Sequence, residues 1–224
     1  MEIPLVYSTL RNERFYVGSP VYRGTTLSIT NSVPLGSVDR LQPMENRGTV
    51  IIADVDSLNQ KKFSERFTAS IDLSGYDIWL LEAVRSSADI LDSFMGHIRK
   101  LIIPCNTIKS WSVLSDAFEL SEDCIPNIMA TRSKAVVCGD TFDIEKTLKK
   151  ITGMGFCDIL ISDADRSISK EQWQKIIENY PNVIPYNHRL NQTVEIGCKD
   201  YAVDIFPPDF GKDDHNGNPT PDRN

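Results

Sequence analysis

Residues 49–56, TVIIADVD, set the apolar run Val50 to Ala53 between a β-branched residue and two carboxylates. This is a short β-rich strand with polar groups at its C-terminal end. The same kind of run recurs along the chain with amphipathic helical segments between, the alternation expected when parallel strands need helical crossovers. Strands are expected at Ile3 to Tyr7, Thr49 to Asp56, Asp77 to Glu82 and Lys100 to Cys105. Four more are expected at Asn127 to Ala130, Asp158 to Asp163, Asn182 to Tyr186 and Tyr201 to Phe206. An extended piece from Arg14 to Ile29 follows the first.

Between the strands, Leu91, Phe94, Met95 and Ile98, and again Trp173, Ile176, Ile177 and Tyr180, recur at helical spacing and are expected to face the sheet. Ser169 with Gln172 reads as a capping box, and Lys149 and Lys150 ahead of Gly153 and Gly155 mark a helix end. Eight strands favour a closed barrel over an open doubly wound sheet, whose G-x-G-x-x-G turn is missing. The expected fold is α/β, a single (β/α)₈ barrel over residues 1–208. It is trimmed at the first helix, where Thr30 to Gly48 carries Pro34, Gly36 and Pro43, and at the seventh, where Leu190 to Ile196 leaves room only for a short one. Residues 209–224 are nearly devoid of apolar side chains and read as a flexible tail.

The composition, 41% hydrophobic and 25% charged, is that of a globular chain. With a net charge of −7 and no basic stripe, nucleic acid is disfavoured as a partner. No run approaches a membrane span, and the opening residues lack a basic, then apolar, export pattern, so a cytoplasmic protein is expected. Five scattered cysteines without a CxxC pair read as reduced, mostly buried thiols, with Cys105, at a strand end, the candidate for a reactive one.

Several passages together resemble the ProFAR isomerase family (phosphoribosylformimino-5-aminoimidazole carboxamide ribotide isomerases) and its uncharacterised relatives. IPLVYSTLRNERFYV is similar to the family's first strand and following hairpin, and VIIADVDSL to its second strand. LLEAVRSSADIL resembles the third strand and its phosphate turn, IPCNTIKSWSVL the fourth strand and helix, and CDILISDADRSIS the sixth strand and its loop. The resemblance implies a barrel that handles a small anionic, phosphorylated metabolite. It further implies a branch linked to tetrahydromethanopterin or methanofuran one-carbon cofactor synthesis. The family's acid and base are Asp residues on strands one and five, whereas the matching positions here are Tyr7 and either Met129 or Thr131. The histidine-pathway reaction is therefore not expected.

Active sites of such barrels lie at the C-terminal ends of the strands. Asp54 with Asp56, and Asp163 with Asp165, are spaced by two, so each pair would share a face in an extended strand. Asp54, Asp163 and Asp165 are the candidate catalytic groups, able to divide acid and base roles or to hold a cation. The alternative is that they cap helices or brace turns. Tyr7, Asp56, Glu82, Arg85, Asn106, Asn187, His188 and Arg189 form the candidate substrate-binding set. Arg85 and Arg189 would stand in for the family's glycine turns on a phosphate. Asp204, mid-strand in the eighth, must be paired or neutral if it faces the barrel. Lys134, a conceivable Schiff-base lysine, instead falls in a short hairpin after strand five. No motif indicates a cofactor. An isomerase or lyase and a catalytically inactive binding or structural barrel both remain open, and a homodimer is the default oligomer.

Overall fold

A computed structural model describes residues 1–23, 26–35, 48–71, 75–163, 165–186 and 196–205. The chain begins with β1 (Glu2–Arg11), which continues into an antiparallel meander with β2 (Arg14–Arg23) and β3 (Thr26–Pro34). Then come β4 (Gly48–Asp54), α1 (Val55–Gln60), α2 (Glu65–Ser70), β5 (Tyr76–Leu81), α3 (Ser87–Phe94), β6 (Lys100–Pro104) and α4 (Ser112–Leu120). A second antiparallel set joins β7 (Cys124–Thr131), β8 (Lys134–Val137) and β9 (Asp140–Phe142). The chain closes with α5 (Ile144–Gly153), β10 (Ile159–Ser162), α6 (Lys170–Asn179), β11 (Val183–Tyr186) and β12 (Tyr201–Asp204).

Eight of these strands pair in parallel in the order β1, β4, β5, β6, β7, β10, β11, β12, and β12 returns to β1, so the sheet is a closed barrel. They are the eight strands expected from the apolar runs, with their ends moved by a few residues. Among the described residues, four of the eight, β4, β5, β6 and β10, are followed directly by helix, β7 reaches α5 through the β8–β9 hairpin, and β1 is followed by the β2–β3 meander instead. The weak first-helix segment is thus strand through Pro34, and residues 36–47 lie outside the described residues. So do most of the expected seventh helix and the expected tail.

Alternation inside each strand divides the core in two. Ile3, Leu5 and Tyr7, Ile51 and Ala53, Trp79 and Leu81, with Ile102, Ile125, Leu160, Ile184, Tyr186 and Ala202, form one cluster to which every barrel strand contributes: the interior. The intervening residues, such as Val50, Ile52, Ile78 and Leu80, pack outward with Phe67 and Ile71. Leu101, Ile103, Ile128, Ile159 and Ile161 do the same against α4, α5 and α6. At the N-terminal end of the barrel, Lys100 Nζ sits 2.7 Å from Asp158 and 4.6 Å from the Trp79 ring centroid.

The local signals hold where the helix is long enough. Ser169 and Gln172 make the reciprocal capping box, and Trp173, Ile176 and Ile177 are buried. On α3 the stripe holds in part: Phe94, and Ile98 just beyond the helix, pack against the core, but Ile90 and Ser93 are the buried residues, while Leu91 is 53% and Met95 86% exposed. A helix of barely two turns presents only a narrow face, and the one turned inward starts a residue earlier than the apolar spacing suggested.

Candidate functional site

At the C-terminal half of the barrel the interior changes character. The Tyr7 phenol donates to the Tyr186 phenol oxygen at 2.8 Å, and the Tyr186 phenol donates to Asp204 Oδ1 at 2.6 Å. The two rings lie with centroids 6.5 Å apart and are almost wholly buried. Ser162, in register with Tyr186 on the neighbouring strand, donates to Asn127 Oδ1 at 2.9 Å. Polar side chains from β7, β10, β11, β12 and β1 therefore line an arc along one side of the interior. Ala53, Leu81 and Ile102 on β4, β5 and β6 leave the other side apolar.

Register creates this arc, since Tyr7, Asn127, Ser162, Tyr186 and Asp204 each stand an even number of residues from a core residue of the same strand. Asp204 is paired, as a carboxylate facing the barrel must be. Asn127 and Ser162 were not singled out in the sequence. Their signal was available as polar residues inside buried strands, two positions from Ile125 and Leu160.

The expected carboxylate pairs are arranged differently. Asp54 ends β4 and caps α1, its Oδ1 accepting from the N–H groups of Asp56 and Ser57 at 3.0 and 3.1 Å. Asp56 is exposed in the first turn of that helix, so the two do not share a strand face. The chain leaves extended geometry at Asp54, because capping ends the strand there. Asp54 is fully buried, and its Oδ2 has no hydrogen-bond partner among the described residues. Burial, reinforced by the nearby Asp56 charge, pushes its carboxyl up to about 7.

Asp163 follows β10 and braces the next loop, accepting from the N–H groups of Ser167 at 2.9 Å and Ile168 at 3.2 Å. Burial raises its pKa to about 6 against those bonds. Asp165 is exposed and accepts from Arg132 N–H at 2.8 Å and Ser167 N–H at 3.2 Å. Burial opposes ionisation there, but those donors outweigh it and hold the pKa below the ordinary carboxylate range. Asp54 and Asp163 thus do the capping and bracing weighed as their alternative role.

Glu82 leaves the barrel wall on the outer side. Ser93 of α3 donates to it at 2.6 Å and Thr68 of α2 at 3.2 Å. It is completely buried, which lifts its pKa to about 8, and the Asp54 and Asp89 charges push the same way. Arg85 is half-buried at the start of α3, its backbone N–H on Asp89 and its guanidinium donating to the Gln60 carbonyl at 3.2 Å. Asn106, after β6, donates to the Met129 sulfur at 3.8 Å, and its Oδ1 is buried without a partner among the described residues. Among the described members of the expected set, Tyr7 is the one placed in the arc. Asn187, His188 and Arg189 lie outside the described residues. Lys134 is exposed on β8, in the hairpin after the fifth barrel strand.

Among the described residues no group of three or more His, Cys, Asp or Glu is placed to hold a metal ion. No helix there is long and apolar enough to cross a membrane. Fold and arc define the class: a closed parallel α/β barrel with a buried phenol–phenol–carboxylate chain at the C-terminal ends of its strands. No protein-family model matches the sequence, and no curated protein matches it significantly.

Proposed function

We propose that this chain is a divergent (β/α)₈ barrel of the ProFAR-isomerase type that binds a small anionic, phosphorylated metabolite at its C-terminal mouth. The observation that carries the reading is the chain Tyr7 to Tyr186 to Asp204. A proton taken from a bound metabolite by Tyr7 can pass through Tyr186 to the carboxylate. This eases the mismatch between a phenol, with its ordinary pKa near 10, and general-base work at neutral pH. An isomerase or lyase step that moves one proton fits such a relay. Arg85 at the head of α3 is the candidate for the anionic end, by a charge-assisted bond in place of its present backbone carbonyl.

The link to tetrahydromethanopterin or methanofuran synthesis is supported by the sequence resemblance, and the cytoplasmic setting by the unpaired cysteines. A homodimer is supported by the exposed Leu91 and Met95 of α3. A second reading, a catalytically inactive binding or structural barrel, is favoured by one observation: the Asp54 and Asp163 carboxylates are engaged in capping and loop bracing.

A thermal-shift screen of sugar phosphates and ribotides tests both readings. A ligand at about one hundred times its Kd stabilises the fold by about 2.7 kcal/mol. Turnover of a ligand so found, abolished in Tyr7→Phe and Asp204→Asn, supports the enzyme. Binding without turnover in any of the three proteins supports the inactive barrel. No shift with any compound overturns the metabolite site.

A further inference from the structure

Two cysteines outside the polar arc meet where β6 and β8 both end. β8 runs back along β7 in antiparallel register, and its continuation reaches the end of β6 head-on. Cys138 N–H donates to the Cys105 carbonyl at 2.9 Å, while Cys105 N–H donates to the Asn127 carbonyl at 2.9 Å. One such backbone bond, with standard bond lengths on either side of it, keeps the two Cα atoms within about 6.5 Å of each other. Disulfides span Cα separations of roughly 4.4–6.8 Å. Both side chains also meet the same apolar cluster. Cys105 is fully buried within it, and Cys138 packs against it with part of its surface open to solvent. Cys138 holds a left-handed backbone, φ 54°, uncommon for a residue with a Cβ.

We propose that Cys105 and Cys138 are a dithiol modification site, converted to an intramolecular disulfide by a small oxidised thiol of the glutathione-disulfide class. Cys138, the more accessible thiol, attacks one sulfur of the reagent as its thiolate, forming a mixed disulfide and expelling one small thiol. The Cys105 thiolate then attacks the Cys138 sulfur and expels the second. Two protein thiols are oxidised, one reagent disulfide is reduced, and both thiol protons end on the released small thiols or solvent.

Burial raises the Cys105 thiol to about 12, with the Cys138 charge adding to the effect, so the second step is the slow one. The same property makes Cys105 a poor leaving group, which protects the finished disulfide against reduction. Closure ties the turn carrying Asn106 to the β8–β9 hairpin beside Asn127, and so fixes one rim of the polar arc.

The test uses the full chain, as wild type and as Cys157→Ser, which removes the exposed thiol that would otherwise cross-link molecules. Each is incubated with oxidised glutathione, denatured in an alkylating agent and read by peptide mass spectrometry. The expected product has lost two hydrogens, carries a Cys105–Cys138 linked peptide, and forms about tenfold faster per pH unit between roughly pH 7 and 9. Cys138→Ser, with unchanged circular dichroism, should lose the cross-link. A glutathione adduct that persists on Cys138, alkylation of both thiols, or a bridge to Cys124 or Cys198 overturns the proposal.

Discussion

The Tyr186 phenol donates a 2.6 Å hydrogen bond to Asp204 Oδ1, joining by side chains two barrel strands whose backbones pair, among the described residues, through Tyr186 and Ala202. Tyr186 also accepts from Tyr7, so one oxygen ties β11 to both β12 and β1. Tyr186→Phe leaves a buried phenol and a carboxylate to find other partners. The expected loss is about 1.5–3 kcal/mol of stability, the range for a bond to a charged group. Urea denaturation with an unchanged m-value measures it. A loss below about 0.5 kcal/mol, the scale of an ordinary surface change, would show that the chain does not hold the barrel closed.

Glu82 and Asp54 predict a pH dependence. The unfolded chain ionises them near 4.5 and 3.8, whereas the folded protein keeps their protons until about pH 8 and about pH 7. Folding therefore takes up protons between those limits. The stability from these groups is complete below the unfolded values and is lost as pH rises through the folded ones. Each such proton contributes a slope of up to about 1.4 kcal/mol per pH unit. In Glu82→Gln the amide still meets Ser93 and Thr68 but does not titrate. The variant should gain on wild type steadily from roughly pH 5 to 8 and hold its advantage above. A pH-independent difference between the two curves refutes the assignment.

Asp163 and Asp165 look equivalent in sequence but differ in burial. Asp163→Ala strands the N–H of the buried Ile168 and leaves the Ser167 N–H to Asp165 alone. A cost of about 1–3 kcal/mol follows. Asp165→Ala at the exposed rim should cost under about 1 kcal/mol, because water can replace its bonds. Paired chemical denaturation curves rank the two, and equal losses would remove the distinction.

Gly155 has φ +107°, and a Cβ there would stand 2.4 Å from the Phe118 ring. Gly155→Ala combines a disfavoured backbone with a steric overlap and should cost about 2–4 kcal/mol. Phe118→Leu in the same background should return part of that loss, as additivity fails for residues in contact. Purely additive losses would show that the overlap is relieved elsewhere.

Much of the architecture was legible because burial writes itself into local pattern. Val50 to Ala53, Leu101 to Ile103 and Ile159 to Ile161 are apolar without interruption because both faces of their strands are covered. The capping box at Ser169 and Gln172 needs only four consecutive residues, so no distant contact could alter it. The candidate site was legible only in part. Tyr7 lay in the resemblance and Asp204 was marked by its charge inside a strand, but neither signal paired them with Tyr186.

The Asp pairs depend on where a strand ends. A spacing of two places residues on one face only while the strand continues, and Asp54 ends its strand by capping α1.

Sequence alone therefore determined the eight strands, their parallel class and the strongest cap, all consequences of periodicity and short-range hydrogen bonding. Tertiary structure decided which polar groups meet. Tyr7 and Tyr186 stand 179 positions apart, and only closing the barrel brings β1 and β11 to either side of β12. Packing of α2 and α3 on the barrel gave Glu82 its partners Thr68 and Ser93, since a one-residue step along a strand exchanges the interior for the helix layer.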